Sequence, residues 1–339
     1  VAAAFGCARC SALADRPDPV AIEAEPLEGL RLRYQDSMSR ARRWLDDLHV
    51  DPFELRRAGI KGKKKLVEHL DSYYRLWQVA SPAERNRILD RIREIVAITY
   101  EDRYHDMASI SDRWFKQDAT SYLRGAVLME RLGLDTTRYR DEIRKIHGRL
   151  NAHMKTRGPY QRQVFHWYYQ TFGLTEPFPL ADSLNDGVIA RQVDPSGMTN
   201  DDVYSITHEV YALFEYGDRL DIDPFDAEST IYLWHALDVL GQRYIDKGDP
   251  DLAAEIVECL HYLRMQDAPI YLVLVRYLLD SQNADGSWGT YERYRKRLRE
   301  YVNQGFVLHT TMVAIGALTA IFERPMPPSP AHAGDTGQP

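Results

Sequence analysis

A chain of 339 residues, 44% hydrophobic and 27% charged, has the composition of a globular domain with a sizeable core. That excludes a wholly disordered chain, a collagen and a small disulfide scaffold, for which three cysteines are too few. The net charge of −7 argues against general nucleic-acid binding, and no such partner is expected.

Residues 1–24 carry Ala, Pro and Asp without a period and read as a leader. The run from Val1 ends in Ala4-Phe5-Gly6-Cys7 and resembles the tail of a bacterial lipoprotein signal. The resemblance implies an acyl group on Cys7 and a place in the cell envelope; an unlipidated leader on a cytoplasmic protein is the alternative. No run of about 18 apolar residues is present, so a lipid on Cys7 is the one membrane attachment expected. Cys7 and Cys10 form a single C-x-x-C, half of a four-thiolate zinc site with no second pair. Cys259 sits in a helical pattern and reads as a buried, inert thiol.

Strand signals are nearly absent between residues 25 and 324, while helical periods are dense. In chain order the spacing predicts helices near 26–48, 53–79 (broken at Gly59–Gly62), 82–99, 111–132, 137–153, 159–172, 178–190, 200–216, 226–246, 250–264, 268–282 and 303–322. Several ends are written in local chemistry. Asp249-Pro250 is an N-cap followed by proline in the first turn, Thr199 or Asn200 opens another helix, and Gly133, Gly173 and Gly217 stand where a left-handed terminator belongs. Lys61-Gly62-Lys63-Lys64-Lys65 reads as a solvated helix start. Residues 325–339 hold five prolines and two glycines and read as a disordered tail.

The helices differ in kind. Those at 137–153 and 250–264 read as apolar on one side and charged outside, whereas 303–322 is apolar all round and must be buried. Alternating exposed and buried helices predict two concentric layers, so the expected fold class is all-α, an (α/α)6-type toroid of about twelve helices over residues 25–324. Gln282-Asn283-Ala284-Asp285-Gly286-Ser287-Trp288 then matches the spacing Q-x-x-x-G-x-W. It resembles the QW motif of the terpene-cyclase and protein-prenyltransferase toroids, which implies the toroid and a turn that ties helix ends together. The catalytic motifs of those families are missing: there is no D-x-D-D, and Asp46-Asp47 lacks the last carboxylate of D-D-x-x-D.

Candidate site residues come from positions where a charged surface is expected and aromatics or histidines stand instead. On the helix 200–216, Tyr204, His208, Tyr211 and Glu215 form a stripe opposite the apolar face. His309 interrupts the apolar last helix, and a buried imidazole needs a partner. His208, His309, Tyr211 and Asp285 are therefore the candidate acid–base set at one end of a central cavity. Tyr204, Trp167, Tyr291 and Arg293 are the candidate ligand contacts, the last two from a segment that interleaves aromatics with cations. The expected partner is an isoprenoid-like or saccharide small molecule, and the alternative is a non-catalytic envelope or interaction protein. Neither a cofactor nor a metal is predicted, because Glu209, the nearest third ligand on that helix, points to a different face.

Overall fold

A computed structural model describes residues 26–290, 301–324 and 326. The leader with Cys7, the tail after Met326 and the segment holding Tyr291 and Arg293 lie outside the described residues. Within them the protein is all-α, with thirteen α-helices and no strand. They are α1 (Arg31–Asp46), α2 (Pro52–Arg57), α3 (Gly62–Val79), α4 (Pro82–Val96), α5 (Asp112–Arg131), α6 (Thr137–Met154) and α7 (Pro159–Phe172). They continue as α8 (Leu180–Asn185), α9 (Asn200–Leu213), α10 (Ala227–Asp246), α11 (Pro250–Tyr262), α12 (Pro269–Asp280) and α13 (Leu308–Glu323).

Local chemistry sets most boundaries. The Thr199 side chain accepts from the Asp202 amide while Asp202 accepts from Thr199, a reciprocal box that starts α9. Asp51, Ser81 and Asp249 cap α2, α4 and α11, each followed by proline in the first turn. The break expected near Gly59–Gly62 separates α2 from α3. Gly59 has φ +81°, and a Cβ on Gly62 would lie 1.9 Å from the Pro52 carbonyl oxygen. The helix expected at 178–190 shrinks to α8, and that expected at 200–216 stops at Leu213. There Glu215 and Tyr216 already have positive φ, ahead of Gly217.

Neighbouring helices follow a closed cycle. α3 packs on α5, α5 on α7, α7 on α9, α9 on α11, α11 on α13 and α13 back on α3. The remaining long helices pack against members of this cycle: α4 on α3, α6 on α5 and α7, α10 and α12 on α11, and α1 on α13. α13 is buried at nearly every position from Leu308 to Phe322. With the π turn Asn303–Val307 before it, this stretch is long and apolar enough to cross a membrane, yet 78% of its most apolar window is buried among the other helices. A buried core helix meets the same hydropathy test.

Two expected surfaces are interior. α11 was expected to face water with its charged side, but every residue from Leu252 to Tyr262 is buried, Glu255, Glu258 and His261 included. Lys63 and Lys65 are buried as well. Lys63 Nζ stands 2.7 Å from Asp106 and 4.2 Å from the Tyr104 ring centre, and Lys65 is paired with Glu68 at 2.7 Å. Buried polar side chains on packed helices must find their partners inside the protein.

The turn after α12 joins three helices. Gln282 Nε2 donates to the carbonyls of Ser37 on α1 and of Gly286, both at 2.9 Å. The fully buried Trp288 donates its indole N–H to the Leu278 carbonyl, and its amide donates to Thr311 Oγ1 on α13. Gly286 has φ +96°, and a Cβ there would lie 2.4 Å from the Arg40 carbonyl oxygen. Gly286→Ala is therefore expected to cost about 1–3 kcal/mol for backbone strain alone, with the clash added. Urea unfolding checks it, and a midpoint equal to that of the unsubstituted chain would show that the turn relaxes freely.

Candidate functional site

Five helices of the cycle line a cavity of about 330 Å³ that opens to the surface. α3 brings Lys64, Glu68 and Asp71 to it, one face of a helix at i, i+4 and i+7. α5 brings Lys116 and Arg124, α7 brings Tyr160 and Tyr168, α9 brings His208 and α13 brings His309. Lys61 and Arg157, just before α3 and α7, complete the wall. Lys61 before α3, Lys116 in the second turn of α5, Gln161 in the first turn of α7 and His309 in the first turn of α13 thus share one cavity wall.

Each cavity histidine is backed by a buried carboxylate. His309 Nδ1 stands 3.0 Å from Glu68 Oε1, and His208 Nδ1 stands 3.6 Å from Glu255 Oε2. The two carboxylates are held in opposite states. Burial pushes Glu255 well above the usual carboxyl range, and the neighbouring Asp251 adds to the effect. Burial also opposes charge on Glu68, but Lys65, Lys64 and His309 outweigh it and hold that group well below the range. His208 is lowered to about 4, first by burial and then by the charge of His309. The geometry therefore sets a neutral carboxyl and a neutral imidazole on α9 and α11 opposite an ionised carboxylate beside an imidazole on α3 and α13. Groups driven apart in this way are what acid–base chemistry requires.

The tyrosines of α9 serve the same cluster from behind. Tyr204 donates to Asp251 at 2.6 Å, and Tyr211 donates to Glu258 at 3.0 Å. Neither lines the cavity, so both position carboxylates and do not meet a ligand there. Asp285 stands apart from the histidines. It accepts from Ser287 in the turn after α12 and borders a separate surface cavity with Trp44 and Asn303. Trp167 borders a second chamber of about 230 Å³, under Arg219. Arg124, Val164, Tyr168 and Tyr216 line both chambers and form the partition between them.

One ligand-atom group was not visible in the sequence. Oxygen atoms of Asp251 and Glu255 and a ring nitrogen of His309 all lie within 4.8 Å of one another, a spacing that a bound metal ion could close. Glu209, on His208's own helix, is not part of this group. Glu209 instead accepts from the amides of Val188 and Ile189, and burial raises it to about 7. The carboxylates come from α11, and Lys64 beside them already supplies positive charge. The signal that would have found them is complementary: Lys64, Glu68, Asp71 and Arg75 on one helix answer Asp251, Glu255 and Glu258 on another, at matching spacing.

Fold and site define an all-helical protein whose polar inner faces enclose one charged cavity. A family model described as a domain of unknown function (DUF6895) matches residues 38–319, and the chain belongs to that family. No curated protein and no solved structure matches it.

Proposed function

We propose that the closed cycle of helices is the inner ring of an (α/α)6 toroid, and that its cavity binds a small hydroxyl-bearing ligand of the saccharide class for acid–base chemistry. The observation that carries this reading is the pair of histidine–carboxylate couples on four different helices, with both imidazoles on one cavity. The volume of about 330 Å³ sits at the small end of the range for ligand sites, roughly 300–1,000 Å³. The wall favours a saccharide over an isoprenoid: Gln117, Thr120, Ser121 and Gln161 offer hydrogen bonds, and Tyr160 and Tyr168 offer ring faces. In this reading His208 is the proton acceptor, because burial and the charge of His309 keep it neutral at pH 7. His309, against the Glu68 carboxylate, is the group that donates.

The test is thermal unfolding of the protein against a panel of neutral mono- and disaccharides, with farnesol in detergent as the rival. A saccharide is expected to raise the melting temperature, and His309→Ala is expected to abolish that rise. A rise with farnesol and none with any saccharide would sink the reading.

A further inference from the structure

We infer that the mouth of this cavity is an oxyanion subsite, formed by Lys61, Lys116 and Arg157, for a phosphoryl or carboxylate group on the ligand. The inference deepens the proposed function and rests on reading the cavity as a ligand site.

Five cations line the cavity against two carboxylates, in a chain whose net charge is −7. Two of the five are committed. Lys64 pairs with Glu68 at 3.3 Å, and Arg124 pairs with Asp71 at 3.1 Å. The other three have no acidic partner among the described residues. Arg157 spends its Nε on a neutral acceptor, His153 Nε2 at 3.1 Å, and another nitrogen on the Lys116 carbonyl at 3.5 Å. That second contact draws the Arg157 guanidinium to the backbone of Lys116. Lys61 and Lys116 make no side-chain hydrogen bond or ion pair and are exposed.

Solvated surface lysines ordinarily spread apart, since like charges repel and nothing holds them together. Here the chain holds them together. Lys61 precedes α3, Lys116 is in the second turn of α5 and Arg157 precedes α7, and these are consecutive helices of the cycle. Their ends are fixed by buried packing, so the three charges converge whatever their mutual repulsion. Partial burial first, then Lys64 and Lys65, lower the Lys61 ammonium from its ordinary value, and Glu68 offsets this only in part. An oxyanion of two or more charges offsets the rest and offers oxygen acceptors to two ammonium groups and one guanidinium. Its covalently attached remainder would extend inward to His208 and His309, which line the same cavity.

Isothermal titration calorimetry of the full chain with inorganic phosphate, with malonate and with sodium chloride at matched ionic strength tests the subsite. Phosphate or malonate is expected to bind once per chain, with no comparable heat from chloride. The preferred anion assigns the group as phosphoryl or carboxylate. The double variant Lys61→Gln with Lys116→Gln is expected to weaken that binding by about tenfold or more. Lys61→Arg with Lys116→Arg is expected to keep it, and both pairs should unfold as the unsubstituted chain does because the side chains are exposed. Equal affinity in the Gln double variant, or no binding of either oxyanion beyond chloride, would overturn the inference. Its failure is separable from that of the saccharide reading. Oxyanion binding without any saccharide response defeats only the latter, and a saccharide response without oxyanion binding defeats only the former.

Discussion

Arg75→Met is expected to destabilise the protein by about 3–5 kcal/mol, the usual loss when one partner of a buried ion pair is removed. Arg75 reaches from α3 past α13 to α11. Its Nη1 lies 2.6 Å from Glu258 Oε1 and 3.1 Å from the Tyr262 hydroxyl, both on α11, and its Nε lies 3.5 Å from Asp71. Arg75 is 8% exposed and Glu258 1%, so neither charge has water to fall back on. Room for the crossing comes from α13: a Cβ on Gly316 would lie 3.3 Å from Arg75 Nη1. In the variant Asp71 retains Arg124, but Glu258 keeps only the hydroxyls of Tyr211 and Tyr262. The cost is thus that of a stranded carboxylate. Adding Glu258→Leu to the same chain is expected to restore most of the loss, because an apolar pair of similar volume removes the unpaired charge. Urea unfolding of the single and double variants measures both. A loss below about 1 kcal/mol in the single variant would mean that the two tyrosine hydroxyls already satisfy Glu258.

The element boundaries were legible because their causes are local. Asp249-Pro250, the Thr199–Asp202 box and Gly173 act within one turn of chain, and the structure places helix ends at each. The depth of α13 was legible too, since no face of it is polar over a full turn. What was not legible is the direction of charge. The stripe Asp251, Glu255, Glu258 has the spacing of a solvated helix face, and periodicity alone assigns such a face to water. Here α11 is packed against α9, α10, α12 and α13, so its charged face has no route to water and meets side chains of α3 and α9 instead. Its partner lies far along the chain: Arg75 and Glu258 are separated by 183 residues. The same logic accounts for the site. His208 and His309 stood out as isolated imidazoles, and the cavity receives both. Asp285 follows α12 in sequence, but its turn closes against α1 and α13 outside the ring, so nearness in sequence to the last helix did not carry it to the cavity. Lys61 and Lys116 were invisible as a pair, because only the packing of α3 on α5 brings two separate helix starts together.

Acid is expected to unfold the protein from near pH 6.5 downward, chiefly through four strongly lowered histidines, with His105 lowered by burial in the same direction. Burial is the first cause in each case. It lowers His69 to about 3 and His153, His208 and His261 to about 4. Their contacts also require the neutral ring: His153 Nε2 accepts from Arg157, so a proton there would face a guanidinium. His69 and His261 are 2% and 4% exposed and offer a proton no access to water. The sign follows from linkage. Each folded pKa lies below the unfolded value of about 6.5, so the stabilisation is complete above pH 6.5 and is lost as pH falls towards 4. Each imidazole accounts for about 1.4 kcal/mol per pH unit in that window. Glu209, raised to about 7 by burial, and Glu255, raised further, act the other way. They are protonated in the folded chain and ionised in the unfolded chain above about pH 4.5, so acid returns their share. Four protons gained on unfolding and two released leave a net uptake of about two near pH 5.5, roughly 3 kcal/mol per pH unit. Urea unfolding between pH 7 and 5 measures that slope, and His69→Gln is expected to reduce it by about one proton. Proton NMR of the imidazoles supplies the second measure, with the four resonances unmoved at pH 5. A stability flat across this range, or His69, His153 and His261 titrating near 6.5, would show that water reaches these three buried rings.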